Sequence, residues 1–232
     1  MRITDIPGMT ALHVTDPDEI VRLRRFQTER YADTGLIDDG SDVLAPDPHA
    51  HRSLWFAVYG PDGSIWATSR FIGAENHRLP LFNDFEIDPE FQQVLAEFDD
   101  QVSEVSRLSI APGAPTVTTL AMLVREMVRH AVSTGRHTVL VGAVERPMVH
   151  VIRRVLKMPC VVIGPLLRDY YNTDNYPVMI DGVRWLADLR FSDAEYWRFF
   201  ADDLVLHPDL LRDAMPRIGQ SDGPVVDLTL SA

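Results

Sequence analysis

The stretch Val102-Ser-Glu-Val-Ser-Arg-Leu-Ser-Ile110 constrains the fold more than any other part of the chain. Its small and apolar residues predict a β-strand, yet it carries an acid, Glu104, and a base, Arg107. A carboxylate or a guanidinium inside a strand is costly unless it is paired, so two such groups within four positions point to packing specificity or to chemistry. The tight loop Ala111-Pro-Gly-Ala-Pro-Thr116 follows, then an amphipathic helix from about Thr116 to Ser133, stopped by Gly135. A polar strand that feeds the N-terminus of a helix is a common way to present a thioester or phosphate to a catalytic group.

The flanking segments supply the rest of an α/β sheet. Thr15-Asp-Pro-Asp-Glu19 reads as a helix start, with a capping Thr or Asp, then Pro, then acids in the first turn. That helix carries Ile20, Leu23 and Phe26 and runs to about Thr34-Gly35. Residues 35–52 lack any period and are expected to form a long loop. Strands over 53–59 and 64–72, joined by Gly60-Pro-Asp-Gly63, form an antiparallel hairpin. Further expected elements are a short helix from Asp88 to about Phe98, a buried strand 137–144, a helix 146–156, and strands 160–167 and 183–191. Ser192-Asp-Ala-Glu195 reads as a capping box opening a further helix, and residues after about Ala214 as a loose tail. The order predicts helices on both faces of a mixed sheet, with residues 1–191 as one domain and 192–232 as a helix and tail appended to it. There is no internal repeat.

With a formal charge of −12 the chain is a poor general nucleic-acid binder, since nothing offsets repulsion from phosphates. Arg22, Arg24, Arg25 and Arg30 form a local basic cluster suited to an acidic partner. Cys160 is the sole cysteine, so no internal disulfide forms and a reducing compartment is expected. It sits in an apolar run, which favours packing over nucleophilic work. No apolar run reaches the ~20 residues that span a bilayer, and the N-terminus lacks a signal-peptide core, so the expectation is a cytoplasmic protein. The eight histidines show no metal-ligand spacing.

Three motifs in order bring a family into view: Ala67-Thr-Ser-Arg-Phe71, Ser103-Glu-Val-Ser-Arg-Leu-Ser109, and Ile163-Gly-Pro-Leu with Ile180-Asp-Gly-Val-Arg-Trp-Leu-Ala187. Over about residues 12–191 the chain resembles the acyl-homoserine-lactone synthases, the autoinducer-producing (quorum-sensing) branch of the acetyltransferase-like (GNAT) fold. The resemblance implies a three-layer α/β fold whose central strands splay to admit a pantetheine arm. Arg22 and Phe26 fit the family's Arg and Phe spacing, Ala32 stands where the family has a Trp, and Asp47 takes the second of two Asp places while Leu44 occupies the first. The long-chain N-acyl amino acid synthases share the fold and the Glu-x-Ser-Arg strand.

The resemblance implies acyl transfer from a thioester, on acyl carrier protein or coenzyme A, to the amine of S-adenosylmethionine. The product is an N-acyl-homoserine lactone, and no tightly bound cofactor is needed. Two alternatives stand beside it: an N-acyl amino acid synthase and an inactive ligand-binding protein on the same fold. Glu104 is the candidate base, or else a structural ion pair with Arg70 or Arg107. In a regular strand Glu104 and Ser106 face one way and Arg107 the other, so the two charges share a site only across a bulge. Without a bulge Arg107 pairs structurally with Asp47 or Asp42. Arg70 either orients the 35–52 loop through Asp47 or binds a substrate carboxylate. By resemblance Arg22, Phe26, Asp47, Arg70, Ser106 and Arg107 form the acceptor pocket, the bland alternative for Arg22 and Phe26 being an exposed charge and a core aromatic. Leu123 and Met127, on the inner stripe of the 116–133 helix, make core or, with Trp55, an acyl tunnel. Residues 111–116 lack a Gly-rich pyrophosphate loop, which favours a carrier-protein donor docked on the Arg22–Arg30 cluster.

Overall fold

The computed structural model describes residues 6–37, 46–75, 78–98, 101–201 and 204. The first layer opens with strand β1 (Thr10–Val14) and helix α1 (Pro17–Asp33). Asp16 caps α1 by accepting from the Glu19 N–H at 2.9 Å, and Pro17 occupies the first turn. Strands β2 (Ser53–Tyr59) and β3 (Ile65–Gly73) form the expected hairpin. Two short helices, α2 (Leu81–Asp84) and α3 (Pro89–Phe98), lead into β4 (Val102–Ile110). Helix α4 (Thr116–Thr134) ends on Gly135 in the left-handed region, where glycine carries no Cβ penalty. Then come β5 (Val139–Glu145), α5 (Arg146–Arg154), β6 (Cys160–Val162), β7 (Leu167–Tyr170), β8 (Thr173–Asp181), α6 (Gly182–Ser192) and α7 (Ala194–Ala201).

The strands form one mixed sheet in the order β1-β2-β3-β4-β5-β8-β6, with β7 pairing on β8. Alternation across the sheet separates two cores. Trp55, Ala57, Val102, Val139, Val141 and Met179 face the layer of α1, α2 and α3, whereas Phe56, Phe71, Leu140, Val178 and Ile180 face α4 to α7. This is the three-layer α/β architecture that the resemblance implied, with helices on both faces of a mixed sheet as the order of elements predicted. Among the described residues no helix is long and apolar enough to cross a membrane.

Several elements differ from expectation. Segment 183–191 is helical, because Asp181 caps it by accepting from the Arg184 N–H at 2.8 Å and Trp185, Leu186 and Leu189 then fall on one buried face. The last strand is instead β8, disguised by polar Asn172 to Asn175 and by Pro177. The expected strand 160–167 is two strands, β6 and β7, interrupted at Gly164-Pro165. A Cβ on Gly164 would stand 2.1 Å from the Glu86 carbonyl oxygen, so this crossing requires glycine. The cap of α7 is Asp193, which accepts from the Glu195 and Tyr196 N–H groups, rather than Ser192. β1 and α2 had no clear sequence signal, and the tail after Ala214 lies outside the described residues. Cys160 is buried, and burial pushes its thiol up to about 11, in keeping with a packing role.

Candidate active site

The site begins where two parallel strands part. β4 and β5 pair only through Val102–Glu104 and Val139–Val141 and then separate. Beyond Glu104 the gap opens into a cavity of about 860 Å³ that crosses the sheet. One branch is lined by Gln27, Tyr31, Asp47, Arg70, Asp84 and Tyr170, and the other by Leu120, Leu123, Met127, Met148, Ile152 and Leu156. A polar chamber on the α1 side is thus joined to an apolar one beneath α4, a division common in sites that orient one polar and one apolar substrate part.

β4 carries the bulge that the two charges required. Thr68 pairs with Ser109 and Arg70 with Ser106, so β4 holds one residue more than β3 over this span. Arg107 sits at φ 59°, a left-handed conformation uncommon for a long side chain. The irregularity turns Arg107 to the face of Glu104, where its guanidinium donates to the Gln27 Oε1 at 2.7 Å. The pairing with Asp47 expected of an unbulged strand does not apply, Asp47 being paired with Arg70 instead, and Asp42 lies outside the described residues.

Glu104 is 8 % exposed and, among the described residues, makes no ion pair. Its Oε2 accepts from the Leu81 N–H at 2.6 Å. Burial pushes its carboxyl up to about 7, although that N–H and the charge of Arg70 pull the other way. The ion-pair alternative with Arg70 or Arg107 therefore has no contact behind it.

Arg70 is spoken for by other groups. Its Nη1 pairs with Asp47, its Nε donates to the Ser106 Oγ at 3.1 Å, and its guanidinium lies 5.5 Å from the Trp55 ring. Burial and the charge of Arg107 bring it down to about 10, so it stays cationic at neutral pH. Burial alone would raise the Asp47 carboxyl, but Arg70, the His49 N–H, Arg107 and Arg24 together hold it below the ordinary value. Arg70 thus ties the segment around Asp47 to β3 and β4.

Ser106, Arg107, Asp47, Arg70 and Glu104 all line the cavity, as do Leu123 and Met127. Three expected residues do not. Trp55 packs with Val14, Leu23 and Ala57 under α1, because alternation turns it away from α4. Arg22 is exposed and paired with Glu19 at 2.6 Å. Phe26 is half-buried outside the lining, and α1 contributes Gln27, Thr28 and Tyr31 in its place. Tyr31, Asp84 and Tyr170 had no local signal, since α2 and β7 reach the chamber only through the tertiary fold. Burial pushes the Tyr31 hydroxyl up to about 12, so it remains a donor. Among the described residues no group of His, Cys, Asp and Glu is placed to hold a metal.

No protein-family profile matches the chain, and no curated protein does. Solved structures do. An N-acyl amino acid synthase from uncultured soil microbes, FeeM, superposes with a TM-score of 0.58 at 18% identity, over 81% of this chain and 100% of that one. A CoA-dependent acyl-homoserine lactone synthase, BjaI, solved with SAM and isopentyl-CoA, gives 0.56 at 11% identity, over 83% and 90%. An acetyltransferase of the GNAT family from Streptococcus pneumoniae gives 0.50 at 10% identity, over 74% and 98%. At these identities the likeness is one of fold: the chain adopts the acetyltransferase-like architecture with a parted central sheet.

Proposed function

We propose that the chain is an N-acyltransferase that moves an acyl group from a thioester to the α-amine of an amino-acid acceptor. One observation carries this reading: Glu104, pushed up to about 7, stands where the polar and apolar branches of a single cavity meet. An acceptor ammonium must lose a proton before its nitrogen attacks, and a base poised near neutrality is suited to take it. The acyl chain lies against Leu120, Leu123 and Met127, and the thioester carbonyl sits in the gap between β4 and β5. Arg107 and Leu108, which the β3–β4 register skips, supply the backbone N–H groups for the developing oxyanion. Arg107 receives the acceptor carboxylate, while Arg70 and Asp47 hold the chamber wall.

In the first form of this reading the acceptor is S-adenosylmethionine. After the amide forms, the carboxylate oxygen displaces the sulfonium from the γ-carbon, closing the lactone and releasing methylthioadenosine. A second form, with a free amino acid as acceptor, is favoured by Arg22 and Phe26 lying outside the cavity. The donor is an acyl carrier protein or acyl-CoA. Arg22 and Arg30 are paired with Glu19 and Asp33 along α1, which weakens that helix as a basic docking surface. Incubating the protein with acyl-CoA or acyl carrier protein and either S-adenosylmethionine or mixed amino acids separates the forms. Methylthioadenosine with a lactone supports the first, and an N-acyl amino acid without it supports the second. Absence of any amide product with every pairing rejects both and leaves the ligand-binding alternative.

A further inference from the structure

A buried base that takes a proton at each turnover must return it to water. Glu104 is nearly sealed, but an exposed carboxylate, Asp84, lies on the same cavity wall. The single turn of α2 links them: its first residue, Leu81, gives its N–H to Glu104, and its last is Asp84. The Tyr170 hydroxyl donates to Asp84 Oδ2 at 3.4 Å, and its ring stands edge-on to Phe85 with centroids 4.9 Å apart, which fixes the phenol beside the carboxylate.

We propose that Asp84, held by Tyr170, is the proton exit of this site. This rests on Glu104 being the base. The acceptor ammonium gives its proton to a Glu104 oxygen as the nitrogen lone pair becomes available. The Glu104 O–H bond then breaks as the proton passes through water to Asp84 and from there to solvent, leaving both carboxylates anionic for the next cycle. Tyr170 is a positioning residue, and burial, then Tyr171, Asp84 and Glu104 raise its hydroxyl so that it stays a donor. The groups around Glu104 are the Leu81 N–H and Asp84 of α2, Arg70 of β3, Arg52 before β2 and Tyr170 of β7, with Arg107 turned to the same face of β4 and held by Gln27 of α1. Asp84 is the like charge among the carboxylates acting on it, and it raises the Glu104 carboxyl while Arg70 and Arg52 lower it.

The test compares Asp84→Asn, Asp84→Glu, Tyr170→Phe and Glu104→Gln in the acyl-transfer assay across pH. Asp84→Asn should lower kcat about tenfold in dilute buffer with little change in acceptor KM, and concentrated imidazole should restore it. Its acid limb should move down by about half a pH unit as the like charge is lost. Asp84→Glu should retain the parental profile, and Tyr170→Phe should show a weaker form of the loss. An unchanged rate and profile in Asp84→Asn, with Glu104→Gln inactive, overturns the exit while leaving the base in place. Parental activity in Glu104→Gln overturns both. A 13C-carboxyl NMR titration of Glu104, assigned with Glu104→Gln, needs no turnover. Its midpoint should fall in Asp84→Asn, and coincident midpoints reject the proposal.

Discussion

Glu104→Gln separates the cost of holding a buried carboxylate from its use. The parent holds a carboxyl in a site only 8 % exposed, with one backbone N–H at 2.6 Å and no ion pair among the described residues. Glu104 titrates at about 7 against an ordinary 4.5, a difference worth about 3 kcal/mol. The sign follows from the direction: a raised carboxyl supports the fold fully below its unfolded value and loses that support as pH rises through its folded one. Glutamine keeps an acceptor for the Leu81 N–H and never ionises. Chemical denaturation should therefore find parent and variant separated by a small, fixed offset near pH 4.5. By pH 8.5 the variant should gain about 3 kcal/mol on the parent, or about 6–12 °C in Tm for a chain of this size. In the transfer assay the same variant should lose about 10²–10⁴ in kcat, the usual contribution of a positioned base. Titrating groups remote from Glu104 are common to both proteins and cancel in the difference. Parallel stability curves across this range would refute the claim that Glu104 is strained by burial, and undiminished kcat would refute its role as base.

Asp47→Ala should destabilise the fold by about 3–5 kcal/mol at neutral pH, because Arg70 would be left buried without its partner. Since Asp47 is held below its ordinary value, its contribution is present above about pH 4 and is lost on acidification through the folded value, so urea curves of parent and variant should converge in acid. Met127→Trp fills the apolar branch, and kcat/KM for long acyl thioesters should fall by tenfold or more, to about a hundredfold, relative to short ones; an unchanged ratio would remove that branch from donor recognition. Gly164→Ala drives a Cβ against the Glu86 carbonyl oxygen and should cost about 1–3 kcal/mol in thermal or urea unfolding.

Much of this protein was legible before any coordinates. The α1 cap at Asp16-Pro17, the 53–72 hairpin, the polar strand β4 and the α4 stop at Gly135 are decided by neighbours in sequence, through capping, turn chemistry and side-chain alternation. The residue pattern also showed that Glu104 and Arg107 needed a bulge to share a face. The sequence could pose that condition without answering it, because register is settled by the pairing of β4 with β3, some forty residues away. The fate of 183–191 had the same character: its apolar residues suited either element until Asp181 capped it as a helix. Only the tertiary structure brought Asp84 and Tyr170 to Glu104 and left Arg22, Phe26 and Trp55 outside the cavity. Local spacing fixes which face a side chain takes within its own element, whereas a cavity is made of faces from several elements, and their meeting is a property of packing.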